Sequence, residues 1–370
     1  MPRVIGIDLG TVSIDLCGLD DGRLFLDRTL PTTDALADPA RFVALLEQAG
    51  PLDLIAGPSG YGLPLRRAAE ASEEDLGLAF LAAPGETGGI GGLRTLVRAL
   101  ARSGLPVLLT PGVLHLPTIP AHRKVNRVDM GTADKVCAVA LAVADQARRL
   151  ARPLAQVSLV LLELGGAFTA VIAVAGGQIV DGVGGSAGPL GFRAPGALDG
   201  EVAYLAGEVQ KALLFHGGAA AVAGWDERTG QRGEWRETGA VERFAHPATP
   251  AERIAWEALV ESAAKTAVAL ATSLPGPAQF VLSGRLGQLE PVAHALAERL
   301  GPFGPTRRVE GFATVAKEGA QGAALLADGL AGGANRELVE RLAIRDARGS
   351  VLDHLYVIGR DQARRRLGLA

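Results

Sequence analysis

Three short strings place acidic, hydroxyl-bearing and glycine residues where a strand gives way to a turn: Asp8-Leu9-Gly10-Thr11, Glu163-Leu164-Gly165-Gly166 and Leu282-Ser283-Gly284-Arg285. In the first, a carboxylate ends an apolar run, Gly10 lets the backbone approach a ligand closely, and Thr11 offers a hydroxyl and an N–H to phosphate oxygens. A Mg2+ shared with phosphates takes such a carboxylate, usually through water. Asp-x-Gly is also ordinary turn chemistry, and this string alone does not separate the two readings. The second string repeats the logic with Glu163, Gly165 and Gly166, and a pair of such turns is far more specific to a nucleotide than one. The third suits a purine or its ribose lying against backbone at Ser283, Gly284 and Arg285; it equally fits a plain strand-to-helix connection.

Charge is concentrated between Arg123 and Lys135, at the start of an otherwise apolar helix. Arg127 or Lys135 is suited to neutralise charge developing on a transferred phosphoryl group, and Asp129 or Asp134 to orient or deprotonate an acceptor. Helix capping with solvated charge accounts for the same residues. A carboxylate acceptor is already ionised near neutral pH and needs Arg/Lys and Mg2+, whereas an alcohol wants a base such as Asp129 or Asp134. Arg193 and Asp199 are further candidates to contact acceptor or phosphate, or to hold their loops in place. Gly88-Gly89-Ile90-Gly91-Gly92 lacks the Gly-Lys-Ser/Thr of a P-loop and reads as a loop over the cleft. The six histidines show no metal-ligand spacing, and Arg364-Arg365-Arg366 reads as a solvated helix end.

The elements that must position these residues follow from periodicity. Residues 3–9, 13–19 and 23–28 alternate as strand, turn, strand, turn, strand, an antiparallel meander. A helix over 39–49 and a strand over 52–56 follow, then an irregular stretch, 57–125, holding a helix near 92–103 and a strand at 106–110. The pattern predicts a long helix over 131–150 with Thr132 as N-cap. The opening grammar then repeats at 157–164, 169–174 and 178–181, so the domain is duplicated. Helices are expected over 200–215, 251–273, 290–299, 318–331 and 334–344, with a strand at 280–282. Residues 224–249, with two of the three Trp, read as an insertion or exposed hairpin.

At 370 residues and 48% hydrophobic content the chain exceeds one ordinary core, which fits two lobes. A net charge of −3 gives no reason to expect nucleic acid, and two cysteines are too few for a disulfide framework or a cysteine-held cluster, which indicates a reducing compartment. The opening residues lack a signal-peptide core, and the apolar runs are too short to cross a membrane. The expectation is a cytoplasmic protein with no membrane and no nucleic-acid partner.

The three strings, in this order with a helix before the second, resemble the two phosphate motifs and the adenosine motif of the acetate and sugar kinase/heat-shock chaperone/actin superfamily. Residues 131–150 and 318–331, the latter with Gly322-Ala323-Ala324, resemble its connecting helices. Gly176–Gly182, Gly188–Arg193 and Gly196–Glu201 look most like an uncharacterised, largely archaeal family of predicted butyrate kinases. Two departures stand out: Glu163 where many members have Asp, and Ser283 where Gly-Gly is common.

The resemblance implies an α/β fold of two duplicated ribonuclease-H-like lobes, the actin-like ATPase fold, with a nucleotide cleft between them. It divides the chain into 1–130, with the first phosphate motif and a subfamily insertion, and 131–370, with the connecting helix and the other motifs. It implies ATP and Mg2+ as cofactors, Asp8 and Glu163 organising the metal, and Gly10, Thr11, Gly165 and Gly166 holding phosphates. Ser283, Gly284 and Arg285 meet the nucleoside. The implied activity is γ-phosphoryl transfer to a small acceptor, a short-chain carboxylate by family resemblance. The alternative is a nucleotide-dependent switch or assembly protein. Members often dimerise, so a homodimer is among the expectations.

Overall fold

The computed structural model describes residues 2–81, 90–225 and 239–369. Contacts group the chain into two compact units: Met1–Val157 with Ala175–Val180 and Glu310–Ala370, and Ser158–Val174 with Asp181–Val309. The helix starting at residue 133 and residues 310–370 thus group with the first unit, so the contacts divide the chain elsewhere than at 130/131.

The first unit is built on a six-stranded sheet of β1 (Arg3–Leu9), β2 (Ser13–Asp20), β3 (Arg23–Pro31), β4 (Leu54–Pro58), β5 (Arg66–Arg67) and β6 (Val107–Thr110), in the order β3-β2-β1-β4-β6-β5. The meander pairs antiparallel, and β1, β4 and β6 run parallel. Alternation along β1 sorts its side chains. Ile5, Ile7 and Leu9 join Ile14, Leu16, Phe42, Leu46, Ile55, Leu96 and Leu100 in one core, each full burial contributing about 1.5–3 kcal/mol. Gly6 and Asp8 take the opposite face. There the helix Glu318–Leu330 packs on β1, β2 and β4 and against the helix Ala133–Leu150. A Cβ on Gly6 would lie 2.1 Å from Ala324 N, and one on Gly322 1.7 Å from Cys137 O, so these glycines set how closely helix, sheet and helix approach.

The second sheet comprises β7 (Leu159–Leu164), β8 (Thr169–Ala175), β9 (Gln178–Val183), β10 (Phe280–Ser283) and β11 (Thr306–Arg308), in the order β11-β10-β7-β8-β9. β7 pairs antiparallel with β8 and parallel with β10, and β10 parallel with β11. With β5 set aside, the strand order of the first sheet is repeated, and Asp8 and Glu163 hold corresponding places near the ends of their first strands. The two-residue turn Gly176-Gly177 has positive φ at both positions, as a tight hairpin requires.

Four expectations are corrected. The helix expected over 200–215 is Gly200–Leu205, ended where Gly207 takes φ +69°, followed by a 3-10 turn at Lys211–Phe215. The 57–125 stretch contains a further helix, Glu73–Phe80, closed by a capping box between Ser72 and Asp75. The described ends of 224–249 are not an exposed hairpin. Trp225 and Phe244 are buried and meet Phe192 edge to face, and Trp225 Nε1 donates to Glu252. Gly88, Gly89 and residues 226–238 lie outside the described residues, whereas residues 90–92, expected as loop, open the helix Ile90–Arg102.

Candidate active site

In the first unit, Asp8 on β1 stands in register opposite Asp15 on β2. Like charges directly across an antiparallel pair repel, and here a cation answers them: Lys317 Nζ lies 3.1 Å from Asp15 Oδ2 and also donates to Ser13 Oγ. Asp15 is buried, and its Oδ2 accepts from Ser13 Oγ at 3.0 Å as well. Gly319, at the start of the helix Glu318–Leu330, abuts Asp8: a Cβ there would lie 2.7 Å from Asp8 Oδ2. A Cβ on Gly10 would lie 2.6 Å from Ser13 O and 3.7 Å from Lys317 Nζ, so the turn is closed over its own backbone with the ammonium beside it.

The helix Ala133–Leu150 adds Asp134 and Lys135, whose ammonium pairs with Asp134 Oδ2 at 2.6 Å, while Thr132 Oγ1 donates to Asp134 Oδ1. Burial pushes Asp8 up to about 7, the Asp134 carboxylate adds to this, and Lys317 and Lys135 oppose it. Asp134 goes the other way. Burial acts upward on it too, but the Lys135 charge and the hydrogen bonds from Lys135 and Thr132 hold it below the ordinary value. Of this pair, Asp8 keeps a proton longest. Three carboxylates share the site with two ammonium groups, and a divalent cation there would take the place of the proton that burial keeps on Asp8. No group of three or more His, Cys, Asp or Glu among the described residues is arranged to hold a metal by itself. Asp8 therefore suits a Mg2+ whose other ligands come from phosphate and water.

In the second unit, Glu163 near the end of β7 is in register with Ser283 at the end of β10. Gly284 has φ +81°, and a Cβ there would fall 2.5 Å from Leu164 O and 2.7 Å from Glu163 Oε1; only glycine fits. Gly165 N donates to Phe168 O, and Gly166 faces open space. Ser283 is fully buried, and its Oγ has no hydrogen-bond partner among the described residues. Arg285 is engaged by Glu242 at 3.0 Å. The segment carrying Arg193 is seated on the loop after Gly166: Ala167 O accepts from Arg193 N and Ala194 N, and a Cβ on Gly191 would strike Ala167 O at 2.3 Å.

The structure therefore brings Asp8, Gly10, Asp134 and Lys135 together in one unit, and Glu163, Gly165, Ser283 and Gly284 in the other, with Arg193 beside the latter loop. Thr11 lies on the first turn, half-buried. Arg127 is exposed, and its N–H donates to Lys124 O. Asp129 is buried and accepts from Gly131 N, shaping the entry to the helix Ala133–Leu150. Asp199 caps the helix Gly200–Leu205 through Glu201 N and Val202 N. The sequence reading missed Asp15, Lys317 and Gly319. Asp15 could have been found by counting register across the first hairpin, and Lys317 as a cation at a helix N-terminus, where the dipole disfavours it.

Each unit thus offers a strand-turn motif of the same grammar, and the chain has the duplicated, actin-like ATPase fold. A model of the family described as "Protein of unknown function (DUF1464)" matches residues 6–357, and the chain belongs to that family. Among solved structures, a propionate kinase from Francisella tularensis subsp. tularensis SCHU S4 aligns at TM-score 0.61 and 12% identity, covering 87% of this chain and 99% of its own. The acetate kinase of Porphyromonas gingivalis aligns at 0.58 and 14%, covering 87% and 98%, and that of Entamoeba histolytica at 0.58 and 12%, covering 81% and 86%. These likenesses are of fold. No curated protein matches the chain in sequence. Among the described residues no helix is long and apolar enough to cross a membrane.

Proposed function

We propose that the chain is an ATP-dependent phosphotransferase whose acceptor is a short-chain carboxylate, butyrate-kinase-like in class. The observation that carries this reading is the Asp8 site: a buried carboxylate at a strand end, beside a glycine turn, in a cluster with Asp15, Asp134, Lys135 and Lys317. Gly10 and Thr11 in one unit and Gly165 and Gly166 in the other are the phosphate-holding turns; Ser283 and Gly284 meet the nucleoside. Arg285 does so only by leaving Glu242. Asp8 would hold Mg2+, with Glu163 the corresponding carboxylate of the second unit. The ion, when bound, supplies neutralisation of charge on the transferring phosphoryl group.

The acceptor class follows from the bases. Asp134 is held ionised by Lys135 and Thr132, which makes it a poor proton acceptor, and Asp129 is engaged with Gly131. An acceptor that arrives already ionised needs neither. Its oxygen forms a bond to the γ-phosphorus as the bond to the ADP oxygen breaks, giving an acyl phosphate and ADP with no proton to move. Lys135 and Arg193 are the cations suited to the transferring group; Arg127, exposed, is the weaker candidate.

The test is ATP turnover with Mg2+ against short-chain carboxylates, butyrate included, and hydroxyl acceptors, with hydroxylamine converting any acyl phosphate to a hydroxamate. A trapped hydroxamate is expected, with Asp8→Ala slowing its formation at least about 100-fold. Wild-type turnover by Asp8→Ala would overturn the assignment. Tight ATP binding without transfer to any acceptor would replace it with a nucleotide-driven switch.

A further inference from the structure

Lys317 is the residue before the helix Glu318–Leu330, 304 positions in sequence from the Ser13 it touches. The turn at Gly10 has no cation of its own: from Asp8 to Asp15 it carries two acids and no base. A polyphosphate approaching it meets repulsion unless positive charge comes from elsewhere. Lys317 Nζ lies 3.7 Å from the position a Gly10 Cβ would take, is ion-paired with Asp15 and donates to Ser13 Oγ. An ammonium has three N–H donors, and its hydrogen bond to Ser13 uses one. The side chain is 36% exposed, unlike Asp15 beneath it at 1%.

The loop leading to Lys317 is fastened at successive residues. The Asp27 carboxylate on β3 accepts the N–H groups of Thr314, Val315 and Ala316 at 2.6–3.2 Å, and the Thr314 hydroxyl at 3.1 Å. Gln321 Oε1 accepts from Phe312 N and Ala313 N, while its Nε2 donates to Ala316 O. Burial acts upward on Asp27, but the N–H bonds from Ala316, Thr314 and Val315 outweigh it and hold the carboxyl below its ordinary value. A loop fastened this closely delivers its last side chain to one place, which matters for a group that must meet a ligand and far less for one filling space.

We infer that Lys317 is the phosphate-binding cation of the Leu9-Gly10-Thr11 turn, and that Asp27 is the positioning residue that holds the 312–316 loop for it. This rests on the nucleotide reading above. Asp15 and Ser13 fix the ammonium on one side, and its outer side takes a phosphate oxygen of the nucleotide.

The experiment measures Mg-ATP affinity of the full chain by calorimetry for the wild type, K317M, K317R, D27A and D27A/K317M. Because K317M strands the buried Asp15 charge, D15N/K317M is included: it removes acid and ammonium together, and circular dichroism checks its fold. K317M and D15N/K317M are expected to bind Mg-ATP at least about tenfold more weakly, while K317R stays within about threefold of the wild type. D27A is expected to weaken binding by about threefold or more alone but by less than about twofold on K317M, because a residue acting through another loses its effect when that other is gone. If the wild type binds Mg-ATP and folded D15N/K317M binds within about twofold of it, the inference about Lys317 falls and the nucleotide reading stands. Additive effects of D27A and K317M would overturn the role of Asp27. A wild type that binds no nucleotide overturns the nucleotide reading, and this inference with it.

Discussion

A buried hydroxyl without a partner loses its water and gains nothing in return, and among the described residues Ser283, at the end of β10, is in that position. Replacing it with alanine removes the unpaired group with little change of shape. Ser283→Ala is therefore expected to leave stability unchanged or raise it by up to about 1 kcal/mol, read as a urea midpoint at constant slope; a loss beyond about 1 kcal/mol would mean the hydroxyl is satisfied in the folded protein. Residues like this one were legible in the sequence, because a strand-like run that stops at an acid or hydroxyl beside glycine shows itself within eight positions. Asp8, Glu163, Ser283 and Gly284 all stand where such reasoning puts them. What Lys317 and Asp27 touch was not legible, since one reaches Ser13 and the other Thr314, each across roughly 300 residues, and no local pattern encodes a contact of that span, even where an unusual cation at a helix N-terminus marks the residue. Arg127 shows the converse: charge dense enough to look catalytic, yet exposed to solvent.

The two long helices of the first unit meet where one of them cannot carry a larger residue. At Gly322 a Cβ would fall 1.7 Å from the Cys137 carbonyl, a backbone atom with nowhere to go. Gly77, in the helix Glu73–Phe80, is a fair contrast: its Cβ would meet only the tip of the Leu369 side chain, at 2.9 Å. Alanine gains about 1 kcal/mol of helix propensity over glycine at either site. At Gly322 overpacking should exceed that gain, and Gly322→Ala is expected to destabilise by about 3 kcal/mol or more, while Gly77→Ala stays within about 1 kcal/mol of the wild type. Equal urea midpoints for the two variants would show that the helices can slide apart. Element identity was read well from periodicity, as in 133–150 and 318–330, where an apolar stripe runs several turns. It failed at 200–215, where Gly207 interrupts the pattern, and at 73–80, where the Ser72–Asp75 capping box was the overlooked signal.

The order of the chain through its units makes the first unit discontinuous: residues 1–157 build its sheet, but the helix that covers Gly6 and Asp8 comes only after residue 309. The duplication was visible as a repeated strand grammar, whereas this return was not, because repetition says nothing about where a late helix packs. Without residues 310–370 the β1 face would expose Gly6 to solvent, the helix Ala133–Leu150 would lose its neighbour, and Asp15 would be left without Lys317. The packing of the helix Glu318–Leu330 on β1, β2 and β4 is lost with these residues, and burial on that scale is a large share of the stability of an ordinary domain. A chain ending at residue 309 is therefore expected to lose cooperative unfolding of its first unit, seen as rapid hydrogen exchange in β1 and β2 with protection retained in β7 and β10. Supplying residues 310–370 as a separate peptide should restore protection to β1, because the helix docks through shape and burial and needs no covalent link. Protection of β1 in the shortened chain at wild-type levels would mean that the sheet holds its form without the helix, and that the close approach at Gly6 is a consequence of the fold and not a condition for it.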